Sequence, residues 1–175
     1  METPVDAAPR ARRSKDYLDH LKKINDVFYD QIKIADQKAA YIFTFMLAFL
    51  ITSSEGRSTF QWQSYVDARV LLAIFSATMA VAASITLVAA ILVVLPRRGI
   101  GSTSLFWGGW EDHRGQVVDA SDRDDPDFIF QEYLANIDSL SAIAKAKYRY
   151  VTISFRGLIV MVMAYLLLLL TVGKS

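Results

Sequence analysis

The chain is expected to be an all-α membrane protein with three transmembrane helices. Two of them should continue as long cytoplasmic amphipathic helices that pack together as a helical module. Three observations predict this class. First, Ala39–Ser54, Val70–Pro96 and Gly157–Gly173 contain no charged residue, within a chain of 175 residues that is 53% apolar. Second, the flanks of the first and third stretches carry apolar residues at three- and four-residue spacing, the signature of an amphipathic helix. Third, the cations are unevenly placed: eight Lys/Arg fall in residues 1–38 and eight in 96–156. The 53–69 connection holds only Arg57 and Arg69, and the C-terminal tail only Lys174.

Residues 1–14 combine two Pro, several Ala and the basic cluster Arg10, Arg12 and Arg13, and are expected to form a disordered tail. From there, residues 15–175 should form one membrane domain. Tyr17, Leu21, Ile24, Phe28, Ile32 and Ala35 form an apolar stripe, and no Gly or Pro interrupts Lys15–Ser54. The helix therefore runs into the first span, at about 35–54. Crossing a hydrocarbon core takes about 20 helical residues, so the short first and third stretches must borrow from their charged flanks. The second span, about 70–95, is long enough alone and ends at Pro96-Arg97-Arg98-Gly99. Small residues Ala73, Ser76, Ala77, Ala80 and Ser84 on it favour close helix contact and self-association. Ile100–Asp125, rich in Gly and scattered polar residues, reads as a folded loop. Asp125-Pro126 is a helix start, with a capping carboxylate ahead of Pro at the first helical position. Phe130, Tyr133, Ile137, Leu140 and Ala144 continue the apolar pattern towards a third span at about 153–173. The cytoplasmic module then comprises 15–34 and 97–150. The positive-inside rule places the N-terminus and the 97–150 segment in the cytoplasm, and the 53–69 loop and the C-terminus outside, in a multi-pass membrane protein. No secretory signal peptide is expected, because the first apolar run follows a long charged region.

The chemistry available is restricted. Without cysteine, disulfides, thiolate catalysis and Cys-ligated zinc are excluded. His20 and His113 are isolated, and the acidic run Asp119, Asp122, Asp124, Asp125 and Asp127 lacks the turn glycine and terminal glutamate of a calcium loop. No metal site is expected. No nucleophile elbow, phosphate loop or paired carboxylates occur, so neither an enzyme nor a cofactor is expected. Trp107-Gly108-Gly109-Trp110 reads either as a headgroup anchor or as a stacking wall for a planar ligand. Lys145, Lys147 and Arg149 read either as positive-inside bias or as a phosphate-binding cluster.

Asp36 and Lys38 stand two apart at the entry of the first span, so on a helix they point in different directions. Arg156 is at a similar depth on the third span. An ionised group in the apolar boundary costs a few kcal/mol unless paired or snorkelled. Lys38 can snorkel and the shorter Asp36 cannot, so Asp36 is expected to pair with Arg156.

The segment Ile34-Ala35-Asp36-Gln37-Lys38-Ala39-Ala40-Tyr41 resembles the "ADxKA" entry of the transmembrane Pycsar effector family. The Pro96-Arg97 exit from the second span resembles that family as well. Ser104-Leu105-Phe106-Trp107-Gly108 is similar to its "S-L-F-F-G" element, with Trp107 in place of the usual Phe. Glu132-Tyr133-Leu134 and Lys147-Tyr148 match its "EYL" and "KY" positions. The resemblance covers about residues 20–172. It implies a bacterial antiphage effector that senses a cyclic pyrimidine mononucleotide, cUMP or cCMP, made by a partner nucleotide cyclase. The effector then impairs the inner membrane and causes growth arrest or death. The expected partners are this second messenger, the lipid bilayer and further copies of the chain, with no nucleic acid. A cyclic mononucleotide needs a stacking surface and a cation. Trp107, Trp110 and Tyr148 supply rings, and Arg97, Arg98, Lys145 and Lys147 supply cations. The alternative is a structural or assembly membrane protein, a scaffold or transporter subunit without a nucleotide ligand.

Overall fold

Helix α1 spans Pro4–Thr52 and therefore begins well ahead of Lys15, where the helix was expected to start. Pro4 suits a first helical position, because its missing N–H has no intrahelical partner there in any case. The computed structural model describes residues 4–66, 69–96, 103–105 and 108–172, with side chains from Lys15 onward except those of Ser64 and Val172. Two short helices follow, α2 at Ser54–Ser58 and α3 at Gln63–Val66. Then come α4 at Val70–Val94, α5 at Trp110–Asp122 and α6 at Pro126–Val172. No strand occurs among the described residues. Three helices, α1, α4 and α6, are long and apolar enough to cross a membrane. The protein is an all-α membrane protein.

The α1–α4 connection is tightly capped. Ser53 Oγ accepts from Gly56 N at 2.9 Å as the N-cap of α2. The backbone N–H of Glu55, then the Ser54 hydroxyl, hold the Glu55 carboxyl below its ordinary pKa. Burial raises that of Tyr65.

The 100–125 segment differs from the expected loop, because Trp110–Asp122 is helical. Glu111 and Asp112 sit in its first turn, where carboxylates favour the positive end of the helix dipole. Its one internal glycine, Gly115, is a tolerable cost in an otherwise unbroken segment. The C-terminus of α5 closes in a Schellman motif. Asp125 N donates to Ala120 O at 3.0 Å and Asp124 N to Ser121 O at 3.1 Å. Asp124 takes the left-handed position at φ 51. The next residue does the capping the sequence predicts: Asp125 Oδ1 accepts from Asp127 N and Phe128 N, with Pro126 opening α6. The acidic run thus serves two helix ends.

The chain divides into two units. The first comprises Met1–Lys33 and Arg97–Lys145, and the second Ile34–Pro96 and Ala146–Ser175. The second is a bundle of α1, α4 and α6. Its core holds Met46, Met79 and Met161, each at most 1% exposed, with Ala82, Ala83 and Ala164. Phe49 and Tyr165 pack edge-on at 5.0 Å between centroids. The small residues permit close approach, which replaces hydrophobic collapse as the source of helix association in lipid. At Gly157 a Cβ would collide with Thr86 Oγ1 and lie 3.3 Å from the Ala82 carbonyl oxygen, so this position accepts no larger residue without displacement. Ser154 Oγ donates to Thr86 O at 3.0 Å beside it. The buried face of α4 is Ser76, Met79, Ala82, Ala83, Thr86, Ala89, Ala90 and Val93. Of the small residues singled out from the sequence, Ser76 is on that face, whereas Ala77 and Ser84 point outward. The outward faces carry Phe45, Val81, Ile85 and Leu170, all large, apolar and exposed, as suits contact with lipid.

Candidate functional site

Lys147 is the most unusual side chain of the second unit. It stands on the apolar stripe of α6, where Leu140, Ala144, Lys147, Val151 and Ser154 recur at three- and four-residue intervals and are all buried. Its Nζ donates to Asp36 Oδ1 at 2.5 Å and to the Val93 carbonyl oxygen at 2.8 Å. Val93 lies in the last turn of α4, where carbonyls lack an intrahelical donor. One ammonium thus joins three helices. The side chain of Lys147 is 7% exposed and that of Asp36 37%. Ala35, Ala39, Val93 and Val151 enclose the pair in a small apolar cluster. Beside it, Lys38 Nζ sits 5.5 Å from the centroid of the Tyr148 ring, a cation–π contact.

This arrangement corrects the expected Asp36–Arg156 pair. Nine residues separate Lys147 from Arg156, which on a helix is about half a turn out of phase and about 13 Å along the axis. A stripe that aims Lys147 at Asp36 therefore aims Arg156 away from it. Arg156 is exposed and has no hydrogen-bond or ion-pair partner among the described residues. It lines a groove with Ala77, Val81, Ile85, Ile153 and Val160.

In the first unit a buried polar chain links α1, the segment before α5, and α6. Asn136, 1% exposed, donates through Nδ2 to Asn25 Oδ1 at 2.6 Å. Thr103 Oγ1 lies 3.3 Å from Asn136 Oδ1. Next to it, Ser104 donates through both its backbone N and its hydroxyl to Glu132 Oε2, at 2.7 and 2.6 Å. Tyr29 OH donates to Leu105 O at 3.4 Å. Two hydrogen bonds to one carboxylate oxygen, each charge-assisted, fix the start of the Ser104–Gly108 element.

The residues proposed from the sequence for ligand contact are distributed as follows. Arg97, Arg98 and Trp107 lie outside the described residues. Trp110 opens α5 with 47% of its surface exposed. Lys145 is exposed on α6, without an ion-pair partner among the described residues. Lys147 is engaged by Asp36 and Val93, and Tyr148 is half-buried. His113 Nδ1 meets the Gly109 carbonyl oxygen at 2.9 Å, a contact within the first turn of α5. Among the described residues no group of three or more His, Asp or Glu is placed to hold a metal ion.

Sequence reasoning missed the buried asparagines and the true partner of Asp36. In both cases the signal was helical phase. Asn25 and Asn136 interrupt the apolar stripes of their helices, and Lys147 falls on the continuation of its own.

These features define a three-span, all-α membrane protein in which the short motifs of the sequence contact one another in pairs. Asp36 meets Lys147, Lys38 meets Tyr148, and Ser104 meets Glu132. The chain belongs to the Pycsar effector protein domain family, which matches residues 20–173. Membership makes it an effector of antiphage defence. No curated protein and no solved structure matches the chain.

Proposed function

We propose that this effector binds a cyclic pyrimidine mononucleotide, cUMP or cCMP, made by a partner cyclase, and then impairs the bacterial inner membrane so that growth stops. The observation that carries this reading is the family match over residues 20–173, which spans both the charged unit and the membrane bundle. The Lys/Arg asymmetry supports a cytoplasmic N-terminus and a periplasmic C-terminus.

The ligand belongs in the first unit, which contains Arg97, Arg98 and Lys145 as cations and Trp107 and Trp110 as stacking faces. Lys147, already neutralised by Asp36, is a positioning residue instead. A ligand shifts a protein between states only through its different affinity for them. Here α1 and α6 each contribute residues to both units, which gives ligand-induced changes in the first unit a covalent route to the membrane bundle.

Expression with an active cyclase should arrest growth and depolarise the membrane, whereas a cyclase lacking its catalytic residues should do neither. Trp110→Ala with Lys145→Ala should abolish the response at unchanged protein level. Toxicity that is identical with and without cyclase activity would favour a structural membrane protein over this reading.

A further inference from the structure

We propose that the groove between α4 and α6 is a binding site for one anionic phospholipid, with its phosphate on Arg156 and an acyl chain along the apolar wall. This goes beyond the nucleotide-sensing reading and does not depend on it. The groove has a volume of about 580 Å³, and apart from Arg156 and Thr78 its lining carries no polar side chain among the described residues. Arg156 is its one charge, and no carboxylate answers it among the described residues.

Depth gives the ligand its orientation. From Arg156 to the C-terminal end of α6 at Val172 is 16 residues, about 24 Å of helix. With Val172 placed at the far boundary of a hydrocarbon core about 30 Å thick, the Cα of Arg156 lies about 6 Å inside the nearer boundary. A charge there requires a counter-ion or water. Arg is long enough to reach lipid phosphates, and its planar donors suit a phosphodiester in a bidentate contact. The groove runs from Ile85, Ile153 and Arg156 towards Ala77 and Val160, away from the charged end of α6. That is the direction in which a lipid of the nearer leaflet extends its chains. A cation at the headgroup end of an apolar trough thus matches a molecule with an anion at the head of a hydrocarbon chain.

A second groove supplies an internal control. Its volume is about 440 Å³, it is lined by Ala40, Phe43, Ile91 and Leu95 among others, and among the described residues it carries no charge. It should take any acyl chain without preference for headgroup charge.

The test is retention of phosphatidylglycerol and phosphatidylcholine by the full chain purified from mixed nanodiscs into detergent, read by native mass spectrometry. The wild type should retain phosphatidylglycerol preferentially. Arg156→Gln should lower that preference by about fivefold, the scale of one cation's attraction to an anionic lipid surface. Val81→Trp, which fills the groove and keeps the guanidinium, should lower retention of both lipids, and Phe43→Trp should leave the preference unchanged. Unaltered phosphatidylglycerol retention in Arg156→Gln would overturn the proposal. So would a change of oligomer mass in Val81→Trp without lipid loss, which would assign the groove to a second copy of the chain. Inorganic phosphate at millimolar concentration should not displace the lipid, and displacement would show that Arg156 is a simple anion site.

Discussion

Lys147 and Asp36, 111 residues apart in the chain, form an ion pair at 2.5 Å in which the two partners are unequally buried. The ammonium is almost wholly enclosed and the carboxylate retains contact with its surroundings. The arrangement costs desolvation chiefly at the lysine, and the Val93 carbonyl oxygen offsets part of that by accepting a second hydrogen bond.

Unequal burial predicts unequal mutational effects. Asp36→Ala leaves a buried ammonium with one neutral acceptor and should destabilise the detergent-solubilised protein by about 3 kcal/mol or more. Lys147→Met keeps the stem volume and leaves a carboxylate that is partly exposed where the ammonium is enclosed, so it should cost less, about 1 kcal/mol. The double variant should recover most of the loss of Asp36→Ala, because an apolar pair replaces an uncompensated charge. Thermal unfolding followed by circular dichroism checks this, and equal single effects that add in the double variant would refute the coupling.

Glu132 holds Ser104 through two donors on one residue. Glu132→Ala should release the 103–110 segment. Losing two charge-assisted hydrogen bonds at a half-buried site should cost about 2 kcal/mol, expressed as local opening more than global unfolding. Hydrogen exchange should rise in the peptide containing Ser104 and Leu105 and remain unchanged in α4. Response to the cyclase should be lost with it.

Gly157 lies against Thr86, with the Ala82 carbonyl oxygen behind it. Gly157→Ala should force Thr86 out of its 2.7 Å hydrogen bond to Ala82 O or move α4 and α6 apart. Overpacking of this kind costs about 1–3 kcal/mol. Thr86→Ala in the same background should restore stability, which a melting comparison of the single and double variants would detect.

The helices and spans were legible in the sequence because their signals are local: uncharged stretches, stripes at three- and four-residue spacing, and the Asp125-Pro126 start. The pairings were harder to read. Asp36 was recognisable as a charge needing a cation, but depth alone suggested Arg156, and depth does not fix angular phase. Phase does: Lys147 continues the stripe of Leu140 and Ala144, whereas Arg156 falls about half a turn away. The α5 helix was hidden by Gly108, Gly109 and Gly115, which lower helix propensity without forbidding a helix closed by the Schellman turn at Asp124. The Glu132–Ser104 and Asn136–Asn25 contacts join positions 28 and 111 residues apart, and no local pattern encodes such pairings.

The central claim, that a cyclic pyrimidine mononucleotide switches this protein to breach a membrane, is tested most directly by dye release from liposomes carrying the purified full chain. Adding cUMP or cCMP should release the dye, while linear UMP and CMP, and either cyclic nucleotide with protein-free liposomes, should not. Liposomes that stay sealed while the protein binds either nucleotide would contradict the account.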